Sequence, residues 1–555
     1  MHNMTVREHL NIIAEDRIII LDGAMGSVIQ VLNLDEKSYR GSLFADHPLP
    51  LDGCNDLLCL TRPGAIGAIH DTYLEAGADI IETCSFNSTS VTLADYGIGY
   101  LSYDISAAAA RIARKSADKF YSAGKPRFVA GSLGPTSRGA SLYPDINDPG
   151  KRSILWDEIE AAYYDNARGL LDGGADILLV ETVFDTLNAK AALHAIARLL
   201  EERQIDIPIM ISAAVSGELP SSSSSMTGRL LSGQSLEAFL VSVMHVNPWA
   251  IGLNCSFNAP KLLPLVRQLS EIAPCLVSAY PNAGLPNKYG RYEEMPHIMS
   301  ANIEPFFQEN LVNIIGGCCG STPAHIAAIA KKADEYVPRD TGKQQRFNFW
   351  GIFSGLETFR IPHNTICLDD KSTIAEKNKM QEALINGEYE EAADIARGMI
   401  DSGLSILNIT VSDAGIINEK ALNAFLDYAL MNPYAAKAPF FINSPEFSIL
   451  ETAFKRLQGR CLAGPVNLKD GEDDFLRKIR LIRRYGAAAV VRLIDEQSSP
   501  AENIERKIEI AERIYKLLKK NKYPADNIII DPLVPQDDPL FIWIQDNCPG
   551  VILAL

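Results

Sequence analysis

Three of the ten cysteines directly follow predicted β-strands and could share one metal ion. Cys255 ends the apolar run WAIGLNC, and Cys318 and Cys319 follow the run VNIIGG. Three thiolates are soft ligands that suit Zn²⁺ and leave the fourth tetrahedral position open, which is the arrangement of a catalytic site. The alternative is that the adjacent cysteines are small buried residues packed beside a tight turn.

The elements that would position these cysteines recur along the chain. A helix-like pattern ends in Gly and small residues and leads at once into an apolar run, as in DGGADILLVET (172–182). Gly readily adopts the left-handed conformation that ends a helix, and an unbroken apolar strand indicates a sheet buried on both faces. In the first 335 residues this pattern predicts eight strands, at 17–22, 78–83, 127–132, 175–181, 207–213, 249–255, 275–280 and 312–317.

Eight parallel strands with intervening helices predict an α/β protein with a closed (β/α)₈ barrel of the TIM type. An open doubly wound sheet is the alternative, but the first turn, DGAMGS, lacks the Gly pattern of a dinucleotide-binding fold. Reactive groups of such barrels lie where strands end. Strands six and eight are near neighbours around the rim, so the three thiols are expected to converge.

A second barrel is predicted after a linker at 336–362, where the periodicity is lost. Seven strands follow, at 364–369, 404–411, 438–443, 461–466, 487–494, 527–531 and 550–555. A barrel without its last strand has two unpaired edges, so either the chain is a fragment or something else closes the sheet. The predicted domains are therefore 1–335, a zinc barrel, and 363–555, an incomplete barrel.

Composition excludes several classes of protein. The 555 residues carry a formal net charge of −17, with no basic stripe for nucleic acid. No apolar run is long enough to cross a bilayer, and the N-terminus has acidic residues where a signal peptide would be apolar. We therefore expect a cytoplasmic protein that binds neither nucleic acid nor membrane, in which cysteines serve metals or chemistry more often than disulfides.

Several sequence motifs in the first half of the chain resemble those of a known family. They are LDGAMGSVIQ (21–30), AGADIIETCSFNST (76–89), GSLGPTSRGASLYPDINDP (131–149), VETVFDTLNAKAA (180–192), GLNC (252–255), YPNAGLPN (280–287) and GGCCGSTPAHI (316–326). Together they resemble the homocysteine-binding domain of cobalamin-dependent methionine synthases. The resemblance implies that Cys255, Cys318 and Cys319 hold Zn²⁺ and that the homocysteine thiol becomes its fourth ligand. Zinc would lower the pKa of that thiol and so deliver a nucleophilic thiolate near neutral pH.

The amino and carboxyl groups of homocysteine also need partners. Asp22 and Glu181 both fall at strand ends on the same rim, so either could pair with the ammonium. The turn amides of Ala24, Met25, Gly26 and Ser27 could hold the carboxylate. The resemblance assigns both acidic residues to the amino acid, whereas the alternative for a strand-end carboxylate is a loop cap. One position departs from the family, since Cys84 stands where its E-T-N-T-F segment has Asn.

The second half resembles the pterin-binding, methyltetrahydrofolate domain of the same enzymes. The likeness rests on SGLETFRI (354–361), NGEYEEAADIAR (386–397), NLKDGEDDFLRKIRLIRRYGAAAVV (467–491) and DEQ (495–497). Where that family's strand ends supply Asp and Asn to hold the pterin ring, this chain has Asn408, Thr410, Asn443, Gly464 and Leu533. These residues remove the anionic acceptors, and Gly and Leu offer no side-chain hydrogen bond at all.

Two acidic strand-end residues, Asp495 and Asp531, persist in the second half, but such residues are as often caps as ligands. The hypothesis is that pterin binding is weakened or lost, which leaves methyltetrahydrofolate an uncertain ligand. The sequence also lacks the Asp-x-His-x-x-Gly arrangement with which this family binds the cobalt of cobalamin. The resemblance then implies a methyl group supplied by methylcobalamin on a separate corrinoid-binding protein or module.

The predicted function is that of a zinc-dependent homocysteine S-methyltransferase of the methionine synthase type. Two alternatives stay open. The first is direct methyl transfer from a small sulfonium or ammonium donor, which a three-thiolate site alone does not distinguish. The second, from another functional class, is a docking scaffold in which the degenerate barrel recruits partner modules.

Overall fold

The computed structural model describes residues 4–216, 228–342, 349, 351–361, 365–368, 374–411, 418–497 and 503–555. The chain divides into two units that are interleaved in sequence. The first comprises Met1–Gly139, Ile154–Ser232 and Asn247–Phe347. The second comprises Ala140–Ser153, Gly233–Val246 and Asn348–Leu555. The serine run at 221–225 lies outside the described residues.

Eight parallel strands form the sheet of the first unit. They are β1 (Ile19–Ile20), β2 (Ile80–Glu82), β3 (Phe128–Leu133), β4 (Ile177–Val183), β5 (Ile209–Ala213), β6 (Ala250–Asn258), β7 (Leu276–Asn282) and β8 (Ile314–Ile315). From β2 to β8 each strand pairs with the next along the chain, β8 also pairs with β1, and a single parallel bridge between Leu21 and Ile80 joins β1 to β2. The sheet thus closes on itself, which confirms the predicted barrel.

Apolar side chains fill the interior of this barrel. Ile19, Ile80, Leu179 and Ile314 are fully buried in one cluster, and Cys318 packs against its edge. The β-branched and aliphatic residues of the strands therefore stabilise the barrel by burial, as the unbroken apolar runs predict.

Thirteen helices lie in the same stretch of sequence, within its described residues. They are α1 (Val6–Asp16), α2 (Met25–Val31), α3 (Glu36–Arg40), α4 (Leu58–Thr61), α5 (Pro63–Glu75), α6 (Ser90–Leu93), α7 (Ser102–Phe120), α8 (Trp156–Asp172), α9 (Thr186–Arg203), α10 (Leu236–Val243), α11 (Ala259–Ile272), α12 (Pro296–Gln308) and α13 (Pro323–Ala333). Of these, α10 belongs to the second unit. Short βα turns, such as the one from β1 to α2, bring functional side chains to the rim of the barrel.

The second unit contains an antiparallel hairpin and a seven-stranded parallel sheet. The hairpin, inside the segment predicted as a linker, consists of β9 (Ile352–Ser354) and β10 (Thr358–Arg360). The sheet strands are β11 (Thr365–Ile366), β12 (Leu407–Thr410), β13 (Phe440–Asn443), β14 (Leu462–Leu468), β15 (Ala488–Asp495), β16 (Ile528–Asp531) and β17 (Ile552–Ala554). The helices are α14 (Ile374–Asn386), α15 (Tyr389–Asp401), α16 (Glu419–Met431), α17 (Phe447–Phe454), α18 (Glu472–Arg484), α19 (Ile504–Lys520) and α20 (Pro539–Asn547).

The order of the second sheet is β11-β17-β16-β15-β14-β13-β12, so the seven predicted strands are confirmed. The last strand pairs with the first, through Thr365 and Leu553. In the described part of the sheet, β11 and β12 are not paired as strands. A side-chain amide links them instead, since Asn408 Nδ2 donates to the carbonyl of Leu368 at 3.1 Å. The incomplete barrel is therefore open between its first and second strands.

No described helix is both long enough and apolar enough to cross a membrane.

Candidate active site

The three cysteines predicted as metal ligands meet at the rim of the first barrel. Their Sγ atoms all lie within 4.8 Å of one another, and Cys255 Sγ is 3.8 Å from Cys319 Sγ. Tetrahedral zinc with Zn–S bonds of about 2.3 Å holds its sulfur ligands about 3.8 Å apart. The trio therefore has the spacing of a zinc site, and it is the only group of three or more metal-ligating side chains found among the described residues.

The three thiols of the site differ in pKa. Hydrogen bonds from the thiols of Cys318 and Cys319 lower the pKa of Cys255 well below its ordinary value. The same bonds, together with burial, raise the pKa of Cys318, and the bond to Cys255 raises that of Cys319. In the absence of metal, the thiolate of Cys255 is thus stabilised by hydrogen bonds from the two other thiols. A divalent cation that bound here would displace the remaining protons and be held by three thiolates.

Asn254, which the sequence analysis did not single out, ties this trio to the end of β4. Its fully buried amide Oδ1 accepts from the backbone N–H of Thr182 at 3.1 Å and from Ser212 Oγ at 2.8 Å. Its Nδ2 donates to Thr182 Oγ1 at 2.8 Å and lies 3.9 Å from Cys318 Sγ. Thr182 and Cys255 both have positive φ, a strained conformation that such a network can hold in place.

A cavity of about 400 Å³ opens beside the thiols, and the carboxyl groups at or next to its wall are those of Glu181, Glu82, Asp22 and Asp56. Glu181 lines it and accepts a hydrogen bond from Ser132 Oγ. Glu82 also lines it, whereas Asp22 precedes the lining residue Gly23 and is 2% exposed. Two carboxyl oxygens, Asp22 Oδ1 and Glu82 Oε1, are buried without a hydrogen-bond partner among the described residues.

Burial and mutual repulsion raise the pKa values of the first three of these carboxyl groups. Desolvation raises the pKa of Glu181 to about 7. It also raises the pKa values of Asp22 and Glu82 well above their ordinary range, and the charge of Glu181 raises both further. A buried set of this kind is complementary to a ligand ammonium, which would supply both positive charge and the missing hydrogen-bond donors.

Glu82 was missed in the sequence analysis, although Asp22 and Glu181 were selected. It ends β2 just as Asp22 follows β1, and the backbone N–H of Glu82 donates to Asp22 Oδ2 at 3.0 Å. Its position at a strand end in ETCSF would have been sufficient to include it.

The turn after β1 presents backbone amides at the same cavity. Ala24, Met25, Gly26 and Ser27 all line it. The N–H of Ala24 already donates to Ser321 Oγ at 3.1 Å, whereas the amides of the other three make no hydrogen bond to a described residue. Three free N–H groups in one turn can bind a carboxylate. The structure therefore brings together every residue selected from the sequence for this site.

Cys84 lies in the wall of the cavity, not in the metal-ligand trio. It is 3% exposed, and its thiol lies 3.7 Å from the carbonyl of Asn55 and 3.9 Å from Asp56 Oδ1. Its hydrogen bond with Cys59 and its burial raise its pKa. Cys84 is therefore a packed, protonated thiol.

The homocysteine S-methyltransferase family matches residues 19–333, which is more than half of the chain and includes the whole thiol site. The chain belongs to this family. The pterin-binding enzyme family matches residues 374–536. The two matches together are consistent with an architecture like that of methionine synthase, and the protein is a methyltransferase.

Solved structures similar to this chain include the homocysteine methyltransferase MmuM from Escherichia coli. Its oxidized form is 22% identical over 57% of this chain and 96% of MmuM, with a TM-score of 0.44. The metallated form gives 22% identity, 58% and 98% coverage and the same TM-score. The carboxyl transferase domain of Rhizobium etli pyruvate carboxylase, with 3-bromopyruvate, is 12% identical over 59% of this chain and 49% of that chain, with a TM-score of 0.32.

The strand ends of the second unit are occupied by internal polar contacts. Asp495 is buried and forms an ion pair with Arg506. Arg492 Nε lies 3.4 Å from Asp531 Oδ2. The two acidic residues retained from the pterin-binding pattern are thus already paired with cations of the chain.

Among the described residues, the other strand-end positions that the sequence analysis compared with the pterin-binding pattern offer no replacement carboxylate. Asn443 Nδ2 donates to Thr410 Oγ1 at 3.4 Å. Gly464 has no side chain, and Leu533 is 59% exposed with a φ of 56°. These contacts provide little with which to accept hydrogen bonds from a pterin ring.

Proposed function

We propose that this protein is a zinc-dependent homocysteine S-methyltransferase of the methionine synthase type. The observation that carries the proposal is the convergence of Cys255, Cys318 and Cys319 at the spacing of a zinc site, beside a cavity with buried carboxyl groups. Zn²⁺ held by the three thiolates would supply Lewis-acid chemistry, making the substrate thiol a thiolate near neutral pH.

The residues of the cavity would bind homocysteine at both ends of its amino-acid moiety. Asp22, Glu82 and Glu181 would receive the ammonium, which satisfies the two orphaned carboxyl oxygens. The free amides of Met25 to Ser27 would receive the carboxylate. Ser132 holds Glu181 in place, so that the substrate sulfur is directed toward the cysteines. Binding both groups at once orients the thiol and lowers the entropic part of the barrier.

For the methyl donor we propose methylcobalamin carried by a separate corrinoid-binding protein or module, with methyltetrahydrofolate as the ultimate source. The support is the tandem of homocysteine and pterin-binding families in one chain. Offering methylcobalamin, S-methylmethionine and methyltetrahydrofolate in parallel to the zinc-loaded protein with homocysteine tests this. Methionine formed from methylcobalamin supports the proposal, whereas methionine formed only from S-methylmethionine contradicts the proposed donor.

Replacing one cysteine tests the zinc site itself. Cys318→Ala is expected to lose stoichiometric zinc and homocysteine methylation, because two thiolates bind Zn²⁺ far more weakly than three. Cys275→Ala is a matched control, since Cys275 precedes β7 at the opposite end of the strand and burial raises its pKa. Full zinc content in Cys318→Ala, or methylation equal to that of the control, would contradict the proposed function.

A further inference from the structure

A second cavity, of about 360 Å³, lies in the second unit at the carboxyl ends of β13, β14 and β15. Its lining comes from the segment after β13, from the end of β14 and the segment that follows it, from helices α17 and α18, and from the last residues of β15. Its volume falls in the range of small-molecule sites. No residue of this cavity takes part in the thiol site.

Three cationic side chains from three different elements line this cavity. Lys469 follows β14, Lys478 lies on α18 and Arg492 lies on β15. Lys478 Nζ is 2.6 Å from Asp474 Oδ2 and 3.4 Å from Asp470 Oδ2, so its charge is compensated. Any positive charge in the cavity that is not already compensated therefore comes from Lys469 and Arg492.

Lys469 and Arg492 retain donors that no described residue uses. Lys469 makes no ion pair or side-chain hydrogen bond there. Arg492 contacts Asp531 only through Nε, at 3.4 Å, which leaves both terminal nitrogens of the guanidinium without a described partner. A planar edge with two free N–H groups is the arrangement that binds carboxylate or phosphate oxygens in pairs.

The remaining wall of the cavity is largely apolar. Phe447 and Leu450 of α17, Val466 of β14 and Ile494 of β15 contribute to it. The carboxyl group in the lining, Asp470, is paired with Lys478. A reduced pterin needs acceptors for its ring N–H groups, and the cavity offers mainly donors. Its chemistry suits a negatively charged head with an apolar body.

We propose that this cavity binds a small organic anion, a carboxylate or phosphate joined to an apolar group, through Arg492 and Lys469. The anion would bridge the guanidinium edge and the lysine ammonium, while the apolar part lies against Phe447 and Leu450. The proposal is independent of the zinc chemistry of the first unit. It gives the second unit a ligand class different from the pterins of its family.

Calorimetric titration of the full-length, zinc-loaded protein with phenyl phosphate, benzoate and inorganic phosphate tests this proposal. Saturable binding of phenyl phosphate or benzoate, weakened by added salt, is expected, and the stronger of the two identifies the preferred head group. Inorganic phosphate should bind more weakly than phenyl phosphate because it lacks the apolar part. Absence of binding by both aryl anions at millimolar concentration would overturn the proposal.

Three variants locate the binding. Arg492→Met and Lys469→Met are each expected to weaken the aryl anion about tenfold or more, since each removes a charge-assisted hydrogen bond. Lys469→Met leaves protein contacts intact, so it remains informative if Arg492→Met folds poorly. Lys516→Met is the control, because Lys516 is 71% exposed on α19 and contacts only Glu512 among the described residues. Unchanged affinity in both cavity variants, or methyltetrahydrofolate displacing the aryl anion, would contradict the proposal.

Discussion

Glu181→Gln should make the metal-free protein more stable and at the same time a weaker binder of homocysteine. Burial raises the pKa of Glu181 to about 7, from an ordinary value of 4.5. A tenfold change in proton affinity is worth about 1.4 kcal/mol, so the ionised side chain costs the folded state about 3 kcal/mol. Gln keeps the shape and the contact with Ser132 but cannot ionise.

The two pKa values define the pH window of this effect. Below about pH 4.5 Glu181 is protonated in both the folded and the unfolded chain, so the variant gains little. Between about pH 4.5 and 7 the folded state holds a proton that the unfolded chain has lost, so the wild-type protein loses stability across this range, and above pH 7 the loss is complete. Because the charge of Glu181 also raises the pKa values of Asp22 and Glu82, its removal relieves that repulsion as well, and this contribution has the same sign.

The assay is thermal unfolding of the chelator-treated protein at several pH values. For a unit of roughly 320 residues, 1 kcal/mol corresponds to about 1.5 °C, so the variant should melt about 4–5 °C higher at pH 8 and within about 1 °C of wild type at pH 5. Homocysteine affinity of the zinc-loaded variant should fall about 10–100-fold, because an ionic partner of the ammonium is lost. Glu75→Gln, at an exposed position of α5, is the control.

A melting difference that is the same at pH 5 and pH 8 would refute the claim that Glu181 is the buried titrating group. Unchanged homocysteine affinity would refute its role in binding the ammonium. The two outcomes are separate, since the first concerns the empty cavity and the second the occupied one.

Three further substitutions probe other parts of the molecule. Asp79→Asn should lower the unfolding free energy by about 3 kcal/mol, measured by thermal melting, because the 1%-exposed carboxylate makes a two-point contact with Arg17 at 2.6 and 2.8 Å. Gly320→Ala should weaken zinc binding about tenfold or more in a chelator competition, because Gly320 has a φ of +81° and an added Cβ would overlap Tyr292 beside the thiols. Leu533→Asn should raise the melting temperature of the second unit by about 2 °C, because Asn tolerates a positive φ better than Leu by about 1 kcal/mol; no change in melting would contradict this.

The barrels could be predicted from the sequence because their strands are buried on both faces. Runs such as ILLV in β4 and III in β16 are apolar at every position, so their assignment as buried strands does not depend on alternation. The convergence of the cysteines followed from the same reasoning, since the carboxyl ends of parallel strands share one rim.

What the sequence does not show depends on contacts between distant residues. The pairing of β17 with β11, and hence the position of the opening in the second sheet, depends on how the whole sheet curves. The pairing of Asp495 with Arg506 requires the direction of two side chains, which no local pattern contains. The strand-end position of Glu82 can be seen in the sequence, but whether its carboxyl group caps a loop or lies at the cavity cannot.

The interleaving of the two units has a consequence for how the chain can be divided. Residues 140–153 and 233–246 lie in sequence between strands of the first barrel, but they belong to the second unit. Within that unit the nearly buried Arg152 pairs with Asp427 at 2.6 Å, and Gln234 Nε2 donates to the carbonyl of Gly355 at 2.7 Å.

A fragment cut near residue 347 would therefore retain the buried guanidinium of Arg152 without its carboxylate, and the complementary fragment would retain Asp427 with only its longer contact to Arg456, at 3.4 Å. Loss of one partner from a buried ion pair costs about 3–5 kcal/mol. Recombination of either barrel with an unrelated partner would carry the same penalty. A cut that follows the predicted linker therefore divides the second unit instead of separating two complete units.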